Sequence, residues 1–171
     1  VGDPRQSIYS WRGSDPDIIY DFITPQTQVL ELTTNFRSSQ AIVNFSNHLI
    51  AQTNNTKNNY TPLKANDSFQ GRVVVLKYCS EDEEALAVMD IISSLACPRK
   101  EIFILARTNK ILDIYKNLCE QRAIPFLLRT QEQSQPGVMA QDNQITLSTV
   151  HAIKGLEAEF VFVVGADFNN Y

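Results

Sequence analysis

The stretch ITLSTVHAIKGLEAEFVFVVGA, residues 145–166, decides the fold. Residues 145–150 (ITLSTV) and 160–166 (FVFVVGA) are strand-length, β-branched and aromatic runs, and between them lies a polar turn with Lys154 and Gly155. Moving toward the N-terminus, residues 124–128 read as a short strand and 101–107 (EIFILAR) as another. Between them Thr108 or Asn109 caps a helix whose Ile111, Leu112, Tyr115, Leu118 and Cys119 fall three and four apart. Ser80-Glu81-Asp82-Glu83 is a capping-box pattern opening a helix with Leu86, Met89, Ile92 and Leu95 toward the core. Strands alternating with helices imply an α/β chain with a parallel, doubly wound sheet.

The first half is patterned less strongly. Ser14-Asp15-Pro16 starts a short helix carrying Ile18, Ile19, Phe22 and Ile23. Residues 28–32 (QVLEL) alternate like a strand, and Ser38-Ser39 caps a helix with Ile42, Val43, Phe45, Leu49 and Ile50 largely on one face. Residues 72–78 (RVVVLKY) predict a strand. Residues 53–70 and 130–144 are polar and aperiodic and are expected to be loops. No internal repeat is present.

With 171 residues the chain can bury one sizeable core. No apolar run approaches the ~20 residues that cross a bilayer, the longest being residues 160–166. No membrane role and a cytoplasmic setting are expected. Val1 leads into Gly2-Asp3 without an initiator Met or a leader, so the chain reads as a fragment. Cys79, Cys97 and Cys119 have neither paired nor metal-type spacing and are expected to be reduced thiols; no metal site is expected in the chain itself. The four Asn-x-Ser/Thr triplets, at Asn44, Asn54, Asn59 and Asn66, are read as chance in an Asn-rich chain. A formal charge of −4 is unlike the basic face of a stand-alone nucleic-acid binder, so the chain alone is expected to bind DNA weakly.

Three blocks carry chemistry. In VGDPRQSIYSWRGSDP, residues 1–16, a Gly-Asp turn precedes Gln6, and Tyr9, Trp11 and Arg12 follow. Flat rings beside a guanidinium suit base stacking, and they suit ordinary packing as well. In LTTNFRSSQAI, residues 32–42, Arg37 stands just before a helix start, where its planar fork can meet a phosphate and the Phe36 ring can cover a base. The alternative is a core Phe36 and a surface Arg37. In residues 145–166 a hydroxyl (Thr149), an imidazole (His151) and an ammonium (Lys154) gather near one loop, a setting for phosphate contacts.

Taken in order, these blocks resemble motifs III, IV and V of the UvrD/Rep/PcrA-type superfamily 1 DNA helicases, and they span nearly the whole chain. The resemblance implies the second RecA-like motor domain, residues 27–171, preceded by the tail of the first, residues 1–26. By resemblance Gln6 senses the terminal phosphate of ATP and Arg37 is an arginine finger, both counted as catalytic. Phe36 stacks on the adenine, and Gly155 and Glu157 approach the nucleotide, Glu157 at the ribose. Tyr9, Trp11, Arg12, Thr149 and His151 lie along single-stranded DNA. ATP would bind between the two motor domains, Gln6 on one side and Arg37 and Glu157 on the other, with Mg²⁺ held mainly by the missing first domain. The motor would run 3′ to 5′.

The family often carries Tyr at Phe36 and an aromatic at Ala158; Asp3-Pro4-Arg5 also looks like the helicase subunits of recombination nucleases. No Gly-x-x-x-x-Gly-Lys-Ser/Thr loop occurs, so the chain alone is not expected to hydrolyse ATP. Asp82-Glu83 belongs to the capping box and is not read as a magnesium pair. The accessory domain of many relatives has room only in loops 53–70 and 130–144. Partners implied are single-stranded DNA, the first motor domain, and repair or nuclease proteins. From another class, a non-catalytic interaction module derived from a helicase stays open.

Overall fold

Asn47 shows why the first half holds together. From the third turn of a helix its amide donates to the Leu63 carbonyl at 2.8 Å and accepts from the Leu63 N–H at 3.1 Å, gripping the chain as a strand would. That grip aligns Lys64–Ala65 (β2) parallel to Thr34–Asn35 (β1). The structure is a computed structural model and describes residues 2–52, 61–66, 71–130 and 138–167. It divides into two units, residues 1–76 and 77–171.

In the first unit a single turn, α1 (Ile18–Asp21), follows Asp15, whose carboxylate takes the Asp17 N–H at 2.9 Å. The helix expected after Ser38-Ser39 is α2 (Gln40–Gln52), with Ser39 buried and its carbonyl accepting from Val43 N–H. The apolar face expected on α2 is buried at Val43, whereas Ile42, Phe45 and Leu49 are exposed. Two expected strands do not form. Residues 28–32 join no ladder among the described residues, with Val29, Leu30 and Leu32 exposed, and pairing begins only at Thr34. Residues 73–76 likewise expose Val73, Val74, Val75 and Leu76 without a ladder. Of the expected loop 53–70, residues 64–65 are the strand β2, with Ala65 buried, and 53–60 and 67–70 lie outside the described residues.

The second unit has the α/β form. Its helices are α3 (Glu81–Ser94) and α4 (Asn109–Gln121), and its strands β3 (Ile102–Ala106), β4 (Phe126–Arg129), β5 (Ile145–Thr149) and β6 (Phe160–Val163). All pair in parallel, in the spatial order β4-β5-β3-β6. The capping box forms: Ser80 Oγ accepts from Glu83 N–H at 3.1 Å, and the Glu83 carboxylate accepts from Cys79 N–H at 2.8 Å. Glu83 is therefore occupied in starting a helix.

One face of the sheet, through Ile102, Ile104, Ala106, Ile145 and Leu147, packs against Ala85, Val88, Met89 and Ile92 of α3 and Ile111, Leu112, Tyr115 and Cys119 of α4. On α3 the expected Met89 and Ile92 are buried and Leu95 packs against the same core, joined by Ala85 and Val88, whereas the expected Leu86 is exposed. The other face, with Phe103 and Leu105, is covered by Val150, Ile153, Leu156 and Ala158. Among the described residues, helices thus cover one face and the β5–β6 connection the other, in place of helices on both.

Burial raises the Tyr115 phenol far above its usual range, with the Glu84 carboxylate adding to the effect, and pushes the Cys119 thiol up to about 11. Glu84 also accepts from Gly165 N–H at 3.0 and 3.2 Å, fixing the turn after β6, where Gly165 has φ +61. The three cysteines are free thiols.

Within the 130–144 connector, residues 138–144 form neither helix nor strand and 131–137 lie outside the described residues. Its ends are tied down: Arg129 donates to the Val138 carbonyl, Lys100 pairs with Asp142 at 2.7 Å, and Arg99 N–H donates to the Asp142 carbonyl at 2.9 Å. No helix among the described residues is long and apolar enough to cross a membrane.

Candidate functional site

In the N-terminal block, Asp3 organises a 3-10 turn at Pro4–Gln6, one carboxylate oxygen taking Arg5 N–H at 3.0 Å and the other the Gln6 side-chain amide at 2.9 Å. Gln6 is thereby held on the surface by a residue that carried no role in the sequence reading. A second 3-10 turn, Ser10–Arg12, ends on Gly13 at φ +80, a left-handed conformation that suits glycine. It brings the three expected DNA residues together: the Arg12 guanidinium lies 4.5 Å from the Trp11 ring centre and 5.7 Å from that of Tyr9. Trp11 remains 57 % exposed, so the cluster is a surface stack.

At the end of β1, Asn35 Oδ1 accepts both Arg37 N–H (2.9 Å) and Ser38 N–H (2.7 Å), an Asx turn that delivers the chain into α2. The turn holds Phe36 and Arg37 outward, with Phe36 79 % exposed. A core role for Phe36 is excluded. The Asn of this block, given no function from sequence, is what builds the presentation.

In the second unit the connections place the remaining candidates. The α4 crossover leaves β3 on one face, and the connection from β5 leaves on the other, so adjacent strands β3 and β5 part company at their C-terminal ends. Ligands of open parallel sheets sit in such a crevice. Val150 N–H donates to the Ala106 carbonyl at 3.0 Å, which keeps the two strand ends side by side. The next residues are Arg107 and His151, and Arg107 Nη1 stands 3.0 Å from His151 Nε2 and 3.4 Å from Nδ1.

Thr149 is buried, and its hydroxyl oxygen takes Ala152 N–H at 3.3 Å while its carbonyl takes the N–H groups of Ala152 and Ile153. Its first task is to turn the chain, leaving the hydroxyl proton to donate. Gly155, exposed at φ +93 with open space where a Cβ would stand, lets the segment fold back. Glu157 then comes not to the strand ends but to a pocket of about 340 Å³ over the first half of the sheet, where Phe103, Thr146, Leu156, Lys100 and Arg129 also line the wall. The residues expected around one loop therefore divide, Thr149 and His151 at the C-terminal edge and Glu157 at the pocket. Among the described residues no group of three or more His, Cys, Asp or Glu could hold a metal ion.

Residues 30–135, more than half of the chain, match the UvrD-like helicase C-terminal domain. The chain belongs to that family. This UvrD-like chain is 37 % identical over 134 residues to a probable DNA helicase II homolog of Mycoplasma capricolum subsp. capricolum, which covers 75 % of this chain and 18 % of that protein. It is 36 % identical over 132 residues to the putative ATP-dependent DNA helicase YjcD of Bacillus subtilis, 74 % of this chain and 17 % of the relative. To the ATP-dependent DNA helicase Rep of Salmonella typhimurium it is 34 % identical over 134 residues, 74 % and 19 %. The UvrD-like chain spans about a fifth of the length of these curated relatives. A parallel sheet flanked by helices is the α/β, RecA-like form that this family implies.

Arg107 is the residue that the sequence reading passed over. Its signal was its place, directly after the wholly apolar run 102–106, at the end where parallel sheets bind ligands.

Proposed function

We propose that this UvrD-like chain is the second motor domain, with the tail of the first in residues 1–26, of an ATP-dependent 3′ to 5′ DNA translocase or helicase. The observation that carries the reading is the Asn35 turn, which keeps an aromatic ring and a guanidinium outside the core on consecutive positions. A ring held outside the core has its face available to a ligand. Phe36 offers a flat face to a purine, and Arg37 offers a planar donor fork to a phosphate. The residues fit ATP in those two respects.

ATP supplies the phosphoryl transfer that drives the motor. In that setting Arg37 neutralises charge as it develops on the transferred group, Gln6 reports the terminal phosphate, and Gly155 and Glu157 contact the nucleotide. Mg²⁺ is assigned to the first motor domain. Single-stranded DNA is held by Tyr9, Trp11 and Arg12 through stacking, and by Thr149 and His151 through phosphate contacts. The cytoplasm, with DNA-repair or nuclease proteins as partners, is the setting this reading implies.

The test is DNA-stimulated ATP turnover by the complete polypeptide that carries this chain, wild type against Arg37→Ala. Loss of a charge-stabilising arginine lowers turnover by about 10³ or more while ATP still binds. Equal turnover in the two proteins sinks the arginine-finger role. An absence of turnover in both moves the assignment to an interaction module.

A further inference from the structure

Arg37 stands on a closed circuit of hydrogen bonds in the first unit. The circuit starts at Asn35, whose side chain accepts the Arg37 and Ser38 N–H groups while its own carbonyl accepts from Asn66 N–H at 2.8 Å. One residue thus ties the turn to the β1–β2 ladder. Lys64 N–H, donating to the Thr33 carbonyl at 2.8 Å, supplies another rung. Each of these strands has only two residues, and so short a ladder has little hold of its own. The hold comes from Leu63, just ahead of β2, whose carbonyl and N–H are both taken by the Asn47 amide. Asn47 lies one helical turn after Val43, the buried residue of α2, and so on the same face. The helix in turn begins directly after the Asn35 turn, with the Ser39 carbonyl accepting from Val43 N–H at 3.0 Å, and this closes the circuit.

We propose that Asn47 is a positioning residue for Arg37. By fixing Leu63 it fixes β2, through Asn66 and Asn35 it fixes the turn, and the turn sets where the guanidinium stands. Its effect on catalysis rests on the arginine-finger reading above; the circuit of bonds does not. A guanidinium that neutralises charge on a transferred group acts only from the right place. A displacement of about 1 Å, caused by a change far from the chemistry, can lower a rate about 10²-fold.

The test is a double-mutant cycle in DNA-stimulated ATP turnover by the complete polypeptide that carries this chain. Asn47→Ala should lower kcat by about 10²-fold. In an Arg37→Ala background the same substitution should cost no more than about twofold, because a residue that acts through Arg37 has nothing left to place. Loss of a merely structural residue would cost the same factor in both backgrounds. Amide hydrogen exchange over residues 36–38 gives a second readout, independent of activity. It should be faster in Asn47→Ala and in Asn35→Ala, and close to wild type in Asn35→Asp, which keeps the acceptor. Unchanged kcat in a folded Asn47→Ala, or an equal loss in both backgrounds, overturns the proposal. If Asn47→Ala does not fold, the same cycle with Asn47→Asp decides it, since that variant keeps the acceptor for Leu63 N–H and loses the donor to the Leu63 carbonyl. Turnover indifferent to Arg37→Ala removes the arginine finger instead, and exchange then stands alone: faster exchange on loss of Asn47 upholds the circuit, and unchanged exchange overturns it.

Discussion

Replacing Trp11 with Ala should weaken single-stranded DNA binding without weakening the fold. The indole is 57 % exposed, and Arg12 stands 4.5 Å from its centre. A ring that keeps more than half its surface in water contributes little to stability, so the melting temperature should stay within a degree or two, as for most surface changes. Base–aromatic stacking is worth about 1–3 kcal/mol per base when tested by alanine substitution. At 1.4 kcal/mol per tenfold, the dissociation constant should rise by about 5- to 150-fold. The chain has one tryptophan, so in the wild type a stacked base should quench the whole indole emission during an oligothymidylate titration. Trp11→Ala removes the fluorophore, and its affinity is read by anisotropy of a labelled oligonucleotide at low salt, where a chain of formal charge −4 binds best. Trp11→Phe should retain most of the affinity. Unquenched emission at saturating oligonucleotide, or equal affinity for Trp11→Ala and wild type, would refute the stacking role.

Gly165→Ala should destabilise the chain by about 2–4 kcal/mol, combining a left-handed backbone at φ +61 with a new Cβ 3.0 Å from Ile111 Cδ1. In urea melts Ile111→Val should recover the steric share alone, and a cost under 0.5 kcal/mol would show that the turn relaxes. Ser80→Ala should cost about 1 kcal/mol by removing the acceptor for Glu83 N–H, with Ser80→Gly closer to wild type; identical melts for all three would argue against the cap. Alkali should loosen the second unit. Burial holds the folded Cys119 thiol at about 11, above its ordinary 9.0, so the unfolded chain ionises first and stability falls as pH rises from 9.0 to about 11. Cys119→Ala should be less stable at neutral pH but show a shallower alkaline decline in urea midpoints, and parallel pH profiles would exclude this thiol as a contributor.

The second unit was legible because its patterns are self-sufficient. Residues 102–106 are buried at every position, and a strand of that kind declares its place at the centre of a sheet without reference to its neighbours. The same holds for the Ser80 box and for the α4 stripe, each set by residues within four positions. Residues 28–32 and 73–76 failed for the opposite reason. Alternation and branched side chains state a preference for extended backbone, but a strand exists only when a second chain segment supplies its hydrogen bonds, and in the described residues none does. On α3 the stripe was legible at Met89, Ile92 and Leu95 but not at Leu86, where the small Ala85 beside it takes the buried position. At the candidate site the motif residues were identifiable by resemblance, yet Asp3, Asn35 and Arg107, which hold or accompany them, were not. Their work is done through backbone turns and a contact across the sheet.

The clasp at the base of the β4–β5 connector has a consequence for how this fold can grow. Arg129 to Val138 on one side, and Lys100 and Arg99 to Asp142 on the other, fix where the chain leaves the sheet and where it returns. The sheet is thus insulated from whatever length of polypeptide joins residues 130 and 138. Doubling a loop whose ends are already held costs only about 0.6 kcal/mol in closure entropy. An insert placed between residues 130 and 138 should therefore leave β4 and β5 in register, and an unchanged urea midpoint of such a variant would show it.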